Sequence, residues 1–147
     1  SRWAPVVSQG GRMRKVEVTA PSFPEVPTEE PLLGTAGKTW EVLCGDEGHW
    51  RAGFYSPALT GARECGELEL HSCPELFLLV RGRMTLLVLR DGELREIPLE
   101  EGKPVLVTAP HSGYCPDGPH TGTALVVERD TFETEYRSPE EWGGGGI

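Results

Sequence analysis

The stretch Glu69-Leu-His71-Ser-Cys-Pro-Glu75-Leu-Phe-Leu-Leu-Val-Arg-Gly82 decides how this chain is read. It sets an acid, a histidine and a second acid at strand spacing and closes on a glycine suited to a turn. Side chains two apart on a strand share a face, so Glu69 and His71 point the same way. Glu75 opens the next apolar run after a Ser-Cys-Pro break. Three metal-ligating side chains thus converge from two neighbouring strands, and Cys115, far downstream, is a candidate fourth.

On either side of this stretch the chain is a succession of short β-rich runs. Strands are predicted near Lys38–Cys44, Trp50–Ser56, Gly66–His71, Leu76–Val80, Met84–Arg90, Leu94–Ile97, Val105–Thr108 and Thr123–Arg129. Asp91-Gly92 between two of them is a hairpin signal, and Arg81-Gly82 and Glu101-Gly102 mark further turns. No amphipathic helix of ten residues is visible. The pattern predicts an all-β fold, either a barrel or a two-sheet jelly roll. Within it, Phe77 and Leu79 share a face with Glu75, whereas Leu76, Leu78 and Val80 take the other. The run from Met84 to Leu89 is apolar on both faces as well. A solvated outer sheet face alternates with polar residues, so the outside must be covered, by the chain's own N-terminal strands or by a second subunit.

With 147 residues the chain is near the commonest domain size and can bury one core. Nineteen glycines and thirteen prolines without a repeat fit the turns of a many-stranded protein. The net charge of −9 argues against nucleic acid and anionic membrane surfaces, since no basic stripe is present to neutralise phosphates. No apolar run approaches a spanning helix and no signal-peptide pattern opens the chain; a cytoplasmic protein is expected. Cys44, Cys65, Cys73 and Cys115 form no Cys-x2-Cys pair, and reduced thiols are the expectation. Residues 1–37 read as an N-terminal arm and irregular wrap, in which Met13 is a candidate natural start. Residues 38–137 hold the β-barrel. Residues 138–147, ending in four glycines and Ile147, read as a flexible tail.

The motif around His71 resembles the first motif of the cupin superfamily: His-x-His, three or four residues, Glu, six residues, Gly. His71, Glu75 and Gly82 fit its second half in register, and Glu69 stands where the first histidine belongs. Pro110-His-Ser-Gly113-Tyr-Cys115 resembles the second motif, Pro-x-Gly-x2-His, with Cys115 at the histidine's place and the glycine displaced by one. The resemblance covers roughly residues 38 to 130. It implies a cupin-type jelly-roll β-barrel, a homodimer formed through a sheet face, and a divalent ion held inside by Glu69, His71, Glu75 and Cys115. Such a mixture suits zinc, or less comfortably iron, nickel or manganese; without the thiolate the set is better suited to Mn²⁺ or Fe²⁺. Cys73 turned inward is an alternative to Cys115. His111 and His120, in the Pro-Gly-rich rim, are expected to face substrate, although either can replace Cys115 as ligand.

Within the cupins, residues 91–102 and 124–129 are similar to 3-hydroxyanthranilate dioxygenases, whose Fe²⁺ is held by two histidines and a glutamate. Glu75 matches their glutamate, while their first histidine falls at Glu69 and their last near Cys115, so both are changed. Two functional classes follow. One is a metal-dependent enzyme acting on a small polar organic molecule, oxygenase- or isomerase-like, with Glu69 moving protons. The other is a non-catalytic cupin that binds a small ligand or metal as a sensor or assembly partner. Convergence of three or more ligands on one point favours the first.

Overall fold

A computed structural model describes residues 26–144. Ten strands follow one another: β1 (Trp40–Asp46), β2 (Trp50–Tyr55), β3 (Leu68–His71), β4 (Glu75–Arg81), β5 (Thr85–Arg90), β6 (Glu93–Pro98), β7 (Val105–Val107), β8 (His111–Tyr114), β9 (Thr123–Arg129) and β10 (Thr134–Arg137). Among the described residues the helical content is one turn of 3-10 helix, Ala62–Glu64. All eight expected runs are strands. Two more, β8 and β10, arise where the sequence is polar or glycine-containing.

The strands form two five-stranded antiparallel sheets, ordered β1-β2-β9-β4-β7 and β10-β3-β8-β5-β6. Consecutive strands repeatedly lie in different sheets, which is the jelly-roll arrangement. Alternation on β4 sends Phe77 and Leu79 inward to meet Leu86 and Val88 of β5 and Val126 of β9, and these side chains form the core between the sheets. Asp91 and Gly92 both have positive φ, 53° and 76°, which closes the β5–β6 hairpin in the mirror-image turn that matches strand twist. At the β4–β5 turn Gly82 has φ +65°, and a Cβ there would lie 2.2 Å from the Thr121 carbonyl oxygen. Only glycine fits.

Over the outer face of β5 the cover comes from the residues before β3 and from the chain's C-terminal segment. Leu87 and Leu89 of β5 pack outward against Cys65 and Leu68, with Leu59, Leu94, Tyr114 and Trp142 alongside. Trp142 donates its indole N–H to the Leu68 carbonyl at 3.1 Å. The segment read as a flexible tail therefore folds back onto the sheet as far as Gly144, while residues 145–147 lie outside the described residues. An aromatic residue with a bonded N–H anchors the turn that the neighbouring glycines cannot. On the other sheet, Leu76 and Val80 of β4 and Leu106 of β7 stay exposed. All four cysteines are free thiols. No helix of the described residues is long and apolar enough to cross a membrane. Most of the N-terminal arm, including Met13, lies outside the described residues.

Candidate metal centre

The inner faces of β3, β4 and β8 bring four side chains together. Glu69 and His71 stand two apart on β3, Glu75 opens β4, and His111 opens β8 directly across from Glu69. Their ligand atoms all lie within 4.8 Å of one another. His71 Nε2 is 2.6 Å from Glu75 Oε1 and 3.5 Å from Glu69 Oε1. His111 Nε2 is 3.1 Å from Glu75 Oε1 and 3.7 Å from Glu69 Oε1.

The other ring nitrogen of each histidine is occupied. His111 Nδ1 donates to the Ala109 carbonyl at 2.9 Å, and His71 Nδ1 lies 2.8 Å from the Thr134 hydroxyl. These bonds turn both Nε2 atoms toward the cluster, as outer partners do for metal-ligating histidines. Glu75 Oε1 and His111 Nε2 are buried, close together, and make no well-formed hydrogen bond. Buried polar atoms are nearly always bonded; two that are not, side by side in the cluster, fit a pair of metal ligands. Donor chemistry agrees, because two imidazoles and two carboxylates are a set for a divalent transition metal.

Charge also draws these side chains together. Burial disfavours the His71 imidazolium, but its contacts with Glu69 and Glu75 outweigh this and raise its pKa to about 10. Burial likewise opposes ionisation of Glu75, yet the contacts with His111 and His71 bring it down to about 2. His111 is also raised, the pull of Glu75 overcoming burial.

The cluster forms one wall of a cavity of about 280 Å³. Trp40, Tyr55, Phe77 and Phe132 give the cavity aromatic walls. Arg51 reaches it from β2, bound to Glu128 through Nε at 2.7 Å and through a terminal nitrogen at 2.6 Å. Its guanidinium also lies over the rings of Trp40 and Phe132, at 5.4 and 5.0 Å. Desolvation pushes the Glu128 carboxyl up against the pull of Arg51.

Cys115 is not part of the cluster. Its position follows from register: Glu69 pairs with His111, so Cys115 lies four residues farther along the chain, about 13 Å in an extended strand. Its fully buried thiol accepts from the Gly122 N–H at 3.3 Å and lies 3.5 Å from the Gly122 carbonyl. Burial pushes this thiol up, away from the thiolate a metal would need. His111 stands in the cluster instead. Cys73 is buried outside it. His120 lines a separate groove with Arg81 and Phe54, its ring bonded to the Ser56 carbonyl at 2.7 Å. The alternation of His111, Gly113 and Cys115 was visible in the sequence, but which of the three meets Glu69 was not. Arg51, Glu128, Phe132 and Thr134 carry no motif, and sequence reasoning missed them.

No family model matches the chain. A cupin 2 domain-containing protein from Halorhodospira halophila has a solved structure that superposes with a TM-score of 0.52 and covers 82% of each chain, at 14% identity. The chain has a cupin fold. Hydroxypropylphosphonic acid epoxidase from S. wedmorenis aligns with this chain at a TM-score of 0.49 and 16% identity, over 73% of this chain and 58% of that one. In sequence, a 3-hydroxyanthranilate 3,4-dioxygenase from Scheffersomyces stipitis is 35% identical over 87 residues. That match takes in 57% of this chain and 49% of the relative, so the chain spans about half the length of the curated relative it matches.

Proposed function

We propose that this cupin is a metal-dependent enzyme in which Glu69, His71, Glu75 and His111 hold a divalent ion, and that it acts on a small polar organic molecule in an oxygenase- or isomerase-like reaction. The observation that carries this reading is the gathering of four ligand atoms within 4.8 Å, two of them buried and without well-formed hydrogen bonds. With a thiolate absent from the set, Fe²⁺ and Mn²⁺ are favoured over zinc. The ion would polarise a carbonyl or engage O₂. The protein's own groups do the rest. Glu69, the most exposed of the four, is placed to move a proton between cavity and cluster. The aromatic walls offer an apolar surface to a bound molecule, and the Arg51–Glu128 pair sets a fixed charge pattern in the same cavity. The sequence relative that is a 3-hydroxyanthranilate 3,4-dioxygenase supports the oxygenase form.

A non-catalytic metal- or ligand-binding cupin is the second reading. The observation favouring it is the count of protein donors: four can close a site, whereas catalytic sites keep a position open. Elemental analysis of protein purified without chelator, alongside His111→Ala, tests both. Stoichiometric metal in the wild type and its loss from the variant is the expected result. Wild-type protein that neither carries metal nor takes up Zn²⁺, Fe²⁺, Mn²⁺ or Ni²⁺ would end the metal-dependent reading. The setting we propose is a cytoplasmic homodimer, supported by the free cysteines and by the exposed Leu76, Val80 and Leu106 on one sheet.

A further inference from the structure

Tyr55 ends β2 on the inner face of its sheet and reaches across to the opposite sheet. Its ring meets Phe77 edge-on at 6.1 Å, and Phe77 meets the ring of His111 edge-on at 5.8 Å. The phenol is thus one ring away from a cluster histidine and lines the same cavity as all four cluster residues. Its tip rests on Gly113, two positions beyond His111 on the same face of β8. A Cβ at residue 113 would lie 2.9 Å from the Tyr55 hydroxyl oxygen and 3.0 Å from its Cε2. Any side chain at 113 would therefore displace the phenol. Gly113 has no positive φ to explain the glycine, so space is the reason. Among the described residues the hydroxyl makes no hydrogen bond. Burial, reinforced by the neighbouring Glu69 carboxylate, keeps it protonated and therefore a donor.

A tyrosine serving only as core filler needs its ring and not its hydroxyl. A hydroxyl that lines a cavity and has no partner in the protein is free to donate to a molecule bound there. We propose that the Tyr55 hydroxyl donates a hydrogen bond to the small molecule bound beside the Glu69–His71–Glu75–His111 cluster, and that residue 113 is glycine to admit it. This rests on the metal-centre reading above and adds a positioning donor to it.

The test uses Co²⁺ as a visible probe of the centre and azide as a small anionic acceptor. Wild type, Tyr55→Phe, Gly113→Ala and the double variant are titrated with Co²⁺ and then with azide by absorption spectroscopy. Tyr55→Phe should leave Co²⁺ affinity within about twofold and weaken azide roughly tenfold, the size of a hydrogen bond to a charged group. Gly113→Ala should weaken azide in the same direction. The double variant should be no weaker than Tyr55→Phe, because both changes remove one interaction. Thermal melts of the loaded proteins check that the loss reflects the hydroxyl and not unfolding; if Gly113→Ala is unfolded, Tyr55→Phe decides alone. Equal azide binding by wild type and Tyr55→Phe, or no azide binding by cobalt-loaded wild type, overturns the inference and leaves the metal centre standing. Failure of the wild type to take up Co²⁺ overturns the metal reading and this inference with it.

Discussion

Replacing Glu75 with glutamine separates a metal centre from a merely structural charge cluster. Glu75 is 4% exposed, and its Oε1 lies 2.6 Å from His71 Nε2 and 3.1 Å from His111 Nε2. Glutamine keeps the volume and removes the charge that both imidazoles face. Deleting one partner of a buried ion pair costs about 3–5 kcal/mol. The histidines can shed protons and relieve part of this, so a loss of about 2–3 kcal/mol is expected. For a chain of this size, that lowers Tm by roughly 6–10 °C. Metal then widens the gap. An ion at about 100 times its Kd adds about 2.7 kcal/mol to the wild type, and the variant should gain almost none of it. The difference in Tm should reach roughly 15 °C with metal present. Scanning calorimetry with chelator, and again with Mn²⁺ or anaerobic Fe²⁺, measures both gaps. An equal metal-induced rise in the two proteins, or chelated melts that coincide, would refute the reasoning.

Three further outcomes follow from the same geometry. In metal-free protein the raised His71 contributes stability that is complete below about pH 6.5 and lost as pH rises through about 10. The depressed Glu75 contributes above about pH 4.5 and loses its share as pH falls through about 2; denaturation midpoints across pH should show both losses, and a His71→Ala protein with the same alkaline profile as wild type would contradict the first. Gly82→Ala places a Cβ against the Thr121 carbonyl at positive φ and should destabilise by about 2 kcal/mol or more, seen as a lower urea midpoint with unchanged m-value. Light scattering in the micromolar range should give a dimer mass that falls to monomer in Leu76→Glu, since a stable interface buries on the order of 800 Å² per partner; monomeric wild type would count against the assembly.

For eight of the ten strands, identity was a local property, and the sequence determined it by itself. Alternation at Phe77 and Leu79, the apolar run through β5 and the Asp91-Gly92 turn are each legible within a few residues, because side-chain period and turn stereochemistry act over that range. The convergence of Glu69, His71 and Glu75 was legible for the same reason: two strands consecutive in the chain, one in each sheet, and the short break between them carry all three. What joins them was not local. β8 and β10 contain His111, Gly113, Thr134 and Glu135, too polar and too glycine-rich to read as strands, and they are strands because neighbouring edges take up their backbone hydrogen bonds. That pairing set the register of Glu69 against His111, and a shift along β8 would have offered another side chain to the cluster. Motif counting put Cys115 in the fourth position; the sheet put His111 there and turned the thiol to Gly122. The same long-range contacts brought Arg51 and Glu128, 77 positions apart, into one cavity wall, and folded Trp142 over β5 where the glycines beside it promised only a loose end. Donor identity is written in the chain, but the point on which the donors converge depends on strand register, which exists only once both sheets have formed.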